Sequence, residues 1–201
     1  YLGVDVNTSK YRRTLVFSTT NPYFTQDGIS RPLDLYYRTD KPYEDQGGNY
    51  QLVTTGASMR FGVPFSETDT VFFGGGIEQT KIKPGTNIPA AYLAYADTYG
   101  FSSSSIPLTI GWSRDDRDSA LAPNSGRYQR LNSEWSVAGD ARYVRANYQY
   151  QQYIPLNKRF TIAFNGEVGY GKGLNGRPFP VFKNFYSGGL GSVRGFDQGT
   201  L

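Results

Sequence analysis

The densest group of side chains that could do chemistry is the run Arg114-Asp115-Asp116-Arg117-Asp118. Its carboxylates could supply the oxygen ligands that a hard cation such as Ca²⁺ takes. The sequence Pro123-Asn124-Ser125-Gly126 follows closely and is typical of a turn. Asp side chains in such a turn accept hydrogen bonds from nearby backbone groups. We therefore predict a solvated turn at this position and no metal site.

Two glutamates on different predicted strands, Glu134 and Glu167, could in principle pair as the acid and base of a hydrolase. Both lie on the polar faces of segments that alternate in polarity. Charged side chains in such positions also form structural ion pairs, so we predict salt bridges rather than catalysis. The expected partners are Arg130, Arg145 and Lys172.

The residue types that are missing exclude several kinds of site. The sequence has no Cys and no His, so it offers no thiol nucleophile, disulfide, Cys or His metal ligand, or Ser-His-Asp triad. Gly74-Gly75-Gly76 lacks the Lys-Ser/Thr of a phosphate loop, and glycines within a strand are typical of a bend or a close backbone approach. The net charge of +4, without a dense basic block, does not indicate nucleic acid. We predict a protein that is not an enzyme and has no cofactor, metal or nucleic-acid partner.

Segments in which polar and apolar residues alternate make up most of the sequence and predict nine β-strands. The segments are Leu2–Asn7, Tyr11–Thr19, Ile29–Thr39, Tyr50–Val63, Thr70–Gln79, Ser104–Arg114, Arg127–Val137, Arg142–Ile154 and Phe160–Tyr170. Most are longer than the roughly five or six residues of an average globular strand, and they match the roughly 9 to 11 residues of a tilted membrane-spanning strand. The alternation alone also fits a soluble β-sandwich, but the strand length favours an antiparallel transmembrane β-barrel.

In such a barrel one face of each strand meets lipid and the other meets a polar lumen. We predict an outward orientation for an apolar set: Leu33, Leu35, Ile106, Leu108, Ile110, Tyr148, Ile162, Phe164 and Val168. We predict an inward orientation for a polar set: Arg38, Arg145, Asn147, Asn165 and Glu167. The uncharged stretch Pro84–Ala96 has 13 residues and two prolines, so it is too short for a membrane-spanning helix of roughly 18 residues.

The connections between the predicted strands fall into two alternating sets. The first set is compact: Phe24–Gly28, Pro64–Asp69, Pro155–Arg159 and the longer Asp115–Ser125. The second set holds Asp40–Asn49, Lys83–Phe101 and the tail Asn175–Leu201, with Ser9-Lys10 and Gly139-Asp140 as short exceptions. Outer-membrane barrels have short periplasmic turns and longer extracellular loops, so we place the first set in the periplasm. Because the sequence opens on Tyr1 and stops within the tail, we expect a segment of a longer chain.

The most informative segment is the glycine-rich tail, which contains Val193-Arg194-Gly195-Phe196. Glycines permit a tight backbone path, and an Arg held in a polar site can donate a fork of hydrogen bonds. This tetrapeptide resembles the VRGF signature of the outer-membrane insertase and two-partner-secretion superfamily. Further segments are similar to the BamA-like members of that superfamily: Phe185-Tyr186-Ser187-Gly188-Gly189, Asn21–Ser30 and Gly111–Gly126.

The resemblance implies a bacterial surface antigen-type β-barrel domain over residues 1–201. Residues 1–201 would cover strands three to eleven of a sixteen-stranded barrel and most of its sixth extracellular loop, as an open, nine-stranded fragment without POTRA domains. The loop would fold back into the lumen, where acidic residues of the absent late strands would hold Arg194. Val193, Arg194, Gly195 and Phe196 are therefore the expected functional residues.

The same resemblance implies an insertase of the bacterial outer membrane that folds and inserts β-barrel proteins without covalent chemistry. Its expected partners are the lipid bilayer, unfolded β-barrel clients and accessory lipoproteins that bind the POTRA domains. The alternatives are a two-partner-secretion type transporter pore, a diffusion porin and a soluble β-sandwich binding module.

Overall fold

The structure, a computed structural model, describes residues 1–9, 12–26, 28–41, 50–86, 88–157 and 159–185. Within these residues one antiparallel sheet contains nine strands in chain order, each hydrogen-bonded to the next. The strands are β1 (Leu2–Thr8), β2 (Arg12–Asn21), β3 (Arg31–Asp40), β4 (Gln51–Pro64), β5 (Asp69–Lys83), β6 (Ser102–Asp115), β7 (Gly126–Gly139), β8 (Tyr143–Pro155) and β9 (Thr161–Gly173). The predicted all-β fold with nine antiparallel strands is confirmed. The sheet is open, because β1 and β9 are its two edges.

The strands pair over most of their length, and seven of the eight neighbouring pairs keep one register throughout. β4 and β5 pair from Gln51 opposite Lys83 to Pro64 opposite Thr70 without a shift. The β6–β7 register shifts once, at Pro107, which has no N–H to donate to the ladder. Long uninterrupted ladders of this kind fix which side chains share a face.

The two faces of the sheet differ in the way that the alternation predicts. All nine residues of the predicted outward set are exposed, from Tyr148 at 36% to Val168 at 71%. Arg38 and Arg145, from the predicted inward set, line a common trough whose wall runs from β1 to β8. The amide of Asn147 donates a hydrogen bond to Glu167, and alternation along β9 places Asn165 on the same face. The predicted orientation of both sets is confirmed, and the sheet curves around its polar face.

A helix, α1 (Ala90–Tyr99), lies in the connection between β5 and β6. The alternation analysis predicted only a connection over Lys83–Phe101, so this helix was missed. Alanines and a leucine favour the helix, Pro89 precedes it, and Gly100 ends it with a φ of 86° that a glycine adopts easily. In the described part of the chain, no helix has both the length and the apolar character needed to cross a membrane.

The principal hydrophobic cluster lies at the end of the sheet where the long connections emerge. Ile82 of β5 is buried there with Tyr92 and Tyr95 of α1. The partly buried residues around them are Tyr50, Leu52, Ile88, Tyr99, Val181 and Phe182. Because both α1 and the segment that follows β9 contribute residues, the cluster joins these two elements to the sheet.

Replacing Ile110 with Arg should lower the free energy of unfolding of the full-length protein by about 2–4 kcal/mol. Ile110 lies in the interior of β6 and is 60% exposed on the outer face, where a guanidinium would replace an apolar contact with lipid. Equilibrium unfolding in urea, with the protein in lipid vesicles, measures this cost.

The matched control is Leu121→Arg, since Leu121 is 98% exposed in the connection between β6 and β7. This change should stay within about 0.5 kcal/mol of the parent protein. Equal costs for the two substitutions would contradict the assignment of the outer face to lipid.

Candidate functional site

After β9 the chain reverses and runs over the inner face of the sheet. Asn175 and Gly176 both have positive φ, 55° and 73°, which turns the chain within two residues. Gly173 permits the return, because a Cβ at this position would lie 1.8 Å from the carbonyl oxygen of Arg177. The segment Leu174–Phe185, which we call the return segment, therefore enters the trough directly from the last strand.

Three phenylalanines of the return segment hold it against the wall and helix α1. Phe179 packs edge-on against the ring of Tyr143, with centroids 5.9 Å apart. Phe182 meets Tyr95 of α1 in the same way at 5.7 Å. The guanidinium of Arg145 lies over the ring of Phe185 at 4.2 Å.

Glycines of β9 make room for two of these rings. A Cβ at Gly169 would lie 2.8 Å from the ring of Phe185, and one at Gly171 would lie 2.7 Å from the ring of Phe179. Any larger residue at either position would displace the return segment from the wall. The inner face of β9 is thus shaped to receive this segment.

Lys183 of the return segment lies between two carboxylates of the wall. Its Nζ is 2.8 Å from Oε1 of Glu78 on β5 and 3.2 Å from Oε1 of Glu134 on β7. The side chains are 13%, 11% and 21% exposed, respectively, so the contact is largely shielded from water. Burial alone would lower the pKa of Lys183, but the charges of Glu134 and Glu78 outweigh it and raise the pKa above its usual value.

Two tyrosines complete the surroundings of these carboxylates. The hydroxyl of Tyr36 on β3 donates to Oε2 of Glu78 at 2.9 Å, and the hydroxyl of Tyr143 on β8 donates to Oε1 of Glu134. Four strands therefore converge on one ammonium group. We call these five residues, Lys183, Glu78, Glu134, Tyr36 and Tyr143, the Lys183 cluster.

The register of three strands allows Tyr36 to reach Glu78. Tyr36 pairs with Gly56 on β4, and Gly56 pairs with Glu78 on β5. The tyrosine ring passes over Gly56, where a Cβ would lie 2.5 Å from the hydroxyl oxygen. The glycine in β4 therefore allows the side chains of its two neighbours, β3 and β5, to meet.

The structure corrects the predicted ion-pair partners of Glu134 and Glu167. Glu134 forms its ion pair with Lys183, whereas Arg145, the residue opposite it in the β7–β8 ladder, stacks on Phe185. Glu167 accepts a hydrogen bond from Asn147 at 3.3 Å. The alternation pattern missed Lys183, because that residue lies outside any strand and its contacts with the wall come from tertiary folding.

The acidic run after β6 folds as the predicted turn. Asp115 pairs with Arg117, and Asp116 pairs with Arg127. The backbone N–H groups of Asn124 and Ser125 donate to Asp118 and lower the pKa of its carboxyl group. Among the described residues no group of three or more acidic side chains is placed to hold a metal ion.

Glycines Gly74 to Gly76 lie within β5, as predicted, and permit a close backbone approach. A Cβ at Gly74 would lie 2.3 Å from the carbonyl oxygen of Met59 on β4, and one at Gly76 would lie 2.5 Å from that of Ala57. Gly76 lies two residues before Glu78 of the Lys183 cluster and lines the trough. These glycines let the neighbouring strands pack closely, which shapes the wall.

A second polar cluster, at the opposite end of β5, was not predicted. Asp69 accepts two hydrogen bonds from the guanidinium of Arg114, both at 2.9 Å, and one from the indole N–H of Trp112 at 3.0 Å. The hydroxyls of Ser66 and Thr68 donate to the same carboxylate. The residues Trp112 and Arg114 of a family-like motif therefore secure the β4–β5 turn against β6.

The predicted functional residues Val193, Arg194, Gly195 and Phe196 lie outside the described residues. The described part of the same connection is the return segment with Lys183. Its Phe185 is the first residue of the Phe185–Gly189 motif that carried part of the family resemblance.

A match to the family model called the Omp85 superfamily domain extends over residues 1–201. The chain belongs to the Omp85 superfamily. Its relatives in this superfamily include the outer membrane protein assembly factor BamA of Neisseria meningitidis, which is 36% identical over 92% of the chain. The BamA of Nitratidesulfovibrio vulgaris is 25% identical over 98% of the chain, and a SAM50-like protein of Schizosaccharomyces pombe is 27% identical over 47%.

The fold agrees with that of a solved Omp85 protein. The crystal structure of BamA from Haemophilus ducreyi lacking POTRA domains 1–3 superposes with a TM-score of 0.91, covers 100% of the chain and is 24% identical. The chain spans 40% of that structure and about a quarter of the two BamA relatives, 25% and 24%. The nine strands thus share the fold of part of that structure.

Replacing Gly56 with Ala should destabilise the full-length protein by about 1–3 kcal/mol, because the methyl group would push Tyr36 off Glu78. Urea unfolding in lipid vesicles measures the loss. The matched control is Gly166→Ala on β9, where the nearest atom, on the ring of Phe164, is at an ordinary 3.6 Å. The control should be neutral or slightly stabilising, and a Gly56→Ala variant that behaves in the same way would contradict the tight crossing of Tyr36.

Proposed function

We propose that this chain is the barrel portion of an outer-membrane insertase, which folds and inserts β-barrel proteins into the bacterial outer membrane. The observation that carries the proposal is the 36% identity to an outer membrane protein assembly factor over 92% of the chain. The 0.91 TM-score with a second BamA supports the same barrel architecture. The protein is integral to the outer membrane, with its apolar outer face against lipid.

The proposed work requires strand pairing and no covalent step. A barrel that opens at a weak seam presents a row of unpaired N–H and C=O groups, on which a client strand can form. The residues described here supply the opposite part of the barrel wall and the beginning of the loop that enters the lumen. A wall with long, uninterrupted ladders lets the seam open without loss of the rest of the barrel.

We place the chain at strands three to eleven of a sixteen-stranded barrel, followed by most of the sixth extracellular loop. In this placement the connection with α1 is extracellular, and the turn secured by Asp69 is periplasmic. The partners would be the lipid bilayer, unfolded β-barrel clients and accessory lipoproteins bound by POTRA domains elsewhere in the full-length protein. The motif Val193–Phe196 would act within the lumen, with Arg194 held by acidic wall residues.

Arg194→Ala and Arg194→Lys should both impair assembly of outer-membrane clients by the full-length protein. A guanidinium can form two parallel charge-assisted hydrogen bonds with a carboxylate, and an ammonium group does not reproduce that geometry. A reconstituted folding assay measures the effect. On gels of unheated samples the folded client migrates apart from the unfolded client, and heating removes this difference.

The control is Arg159→Ala, since Arg159 is an exposed residue of the β8–β9 turn. This variant should assemble clients at the parent rate. If both Arg194 variants assemble clients normally and keep normal barrel stability, the role given to the Val193–Phe196 motif is wrong.

A further inference from the structure

We infer that Lys183 is a positioning residue, which docks the loop bearing the Val193–Phe196 motif by filling a two-carboxylate socket in the barrel wall. The docking follows from the geometry of the described residues alone. Its consequence for client assembly rests on the proposed function. Lys183 lies ten residues before Val193 and is therefore well placed to fix the start of that part of the loop.

The two carboxylates of the socket are hydrogen-bonded within the wall, and a cation is needed to balance their negative charges. Glu78 and Glu134 come from different strands, β5 and β7, and each carboxylate accepts a hydrogen bond from a tyrosine of a further strand. Within the described ranges Lys183 is the cation at ion-pair distance from both. Without its ammonium, two largely buried negative charges would face a shared space, which is strongly unfavourable.

The four charges at the contact with Lys183 balance when the segment is docked. Lys183 and Arg145 carry two positive charges, and Glu78 and Glu134 carry two negative ones. Arg145 lies opposite Glu134 in the ladder, and its guanidinium covers the ring of Phe185 from the return segment. Docking of the segment thus neutralises this local group of charges and brings the ring of Phe185 against Arg145.

The test uses the full-length protein and three variants, Lys183→Met, Lys183→Arg and the triple variant K183M/E78Q/E134Q. Docking is measured as the rate of chymotrypsin cleavage after Phe185, with the cut site identified by mass spectrometry. Barrel stability is measured separately as the urea midpoint. The matched control is Lys172→Met, because Lys172 is an exposed lysine of β9.

We expect Lys183→Met to raise the cleavage rate at least tenfold and to lower the urea midpoint. The triple variant should recover the midpoint, since it has no unpaired carboxylate, yet remain cleaved as fast as Lys183→Met. Lys183→Arg should retain protection within about threefold of the parent, because it keeps the charge. The Lys172→Met control should match the parent in both measurements.

Parent-like protection in Lys183→Met would overturn the inference, as would a triple variant that regains both protection and stability. The cleavage assay needs no client, so it tests docking even if the protein assembles no clients. If the triple variant is cleaved rapidly but assembles clients at the parent rate, the positioning role in assembly is wrong, and the Arg194 experiment still tests the proposed function.

Discussion

The two-residue period of the strands is the constraint on which this structure depends. A shift of one residue in any ladder would move a whole row of side chains to the opposite face. In a barrel that error would carry arginines and glutamates into lipid. The register therefore has to be held, and the two ends of β5 are each held by a polar cluster: Asp69 with its partners at one end and Glu78 within the Lys183 cluster toward the other.

These two clusters differ in what they join. Asp69 connects elements that are neighbours in the sheet, since Arg114 and Trp112 lie on the adjacent strand and Ser66 and Thr68 lie in the preceding turn. The Lys183 cluster joins β3, β5, β7 and β8 to a segment that follows all of them in the chain. The first cluster can form with a hairpin and its next strand, whereas the second completes only after β9 has been added and the chain has turned back.

The same difference explains how far the sequence could predict the fold and the site. The nine strands, and the faces on which residues such as Ile110 and Arg145 lie, follow from local alternation, which is repeated in every strand. The turn at Asp115–Asp118 follows from local residue types. Charge and proline content alone do not predict helix α1, although its buried residues Tyr92, Tyr95 and Ala96 have helical spacing. Lys183 was missed because 49 residues separate it from Glu134, and no local pattern marks such a contact.

Glycine explains how a wall built for pairing can also receive a loop. Side chains on the concave face of a curved sheet crowd one another, and any group added to the lumen needs space. At Gly56 the missing side chain is replaced by the ring of Tyr36, and at Gly169 and Gly171 it is replaced by Phe185 and Phe179. Aromatic rings from other segments thus fill the space beside the glycines of the inner wall. The rings keep the lumen packed, and the charged groups lie between the rings. Ion pairs form only where opposite charges lie directly against each other, so we assign to Lys183 the choice of where the return segment lies along the wall. The phenylalanine rings pack without such a requirement, so we assign to them the holding of the segment in place.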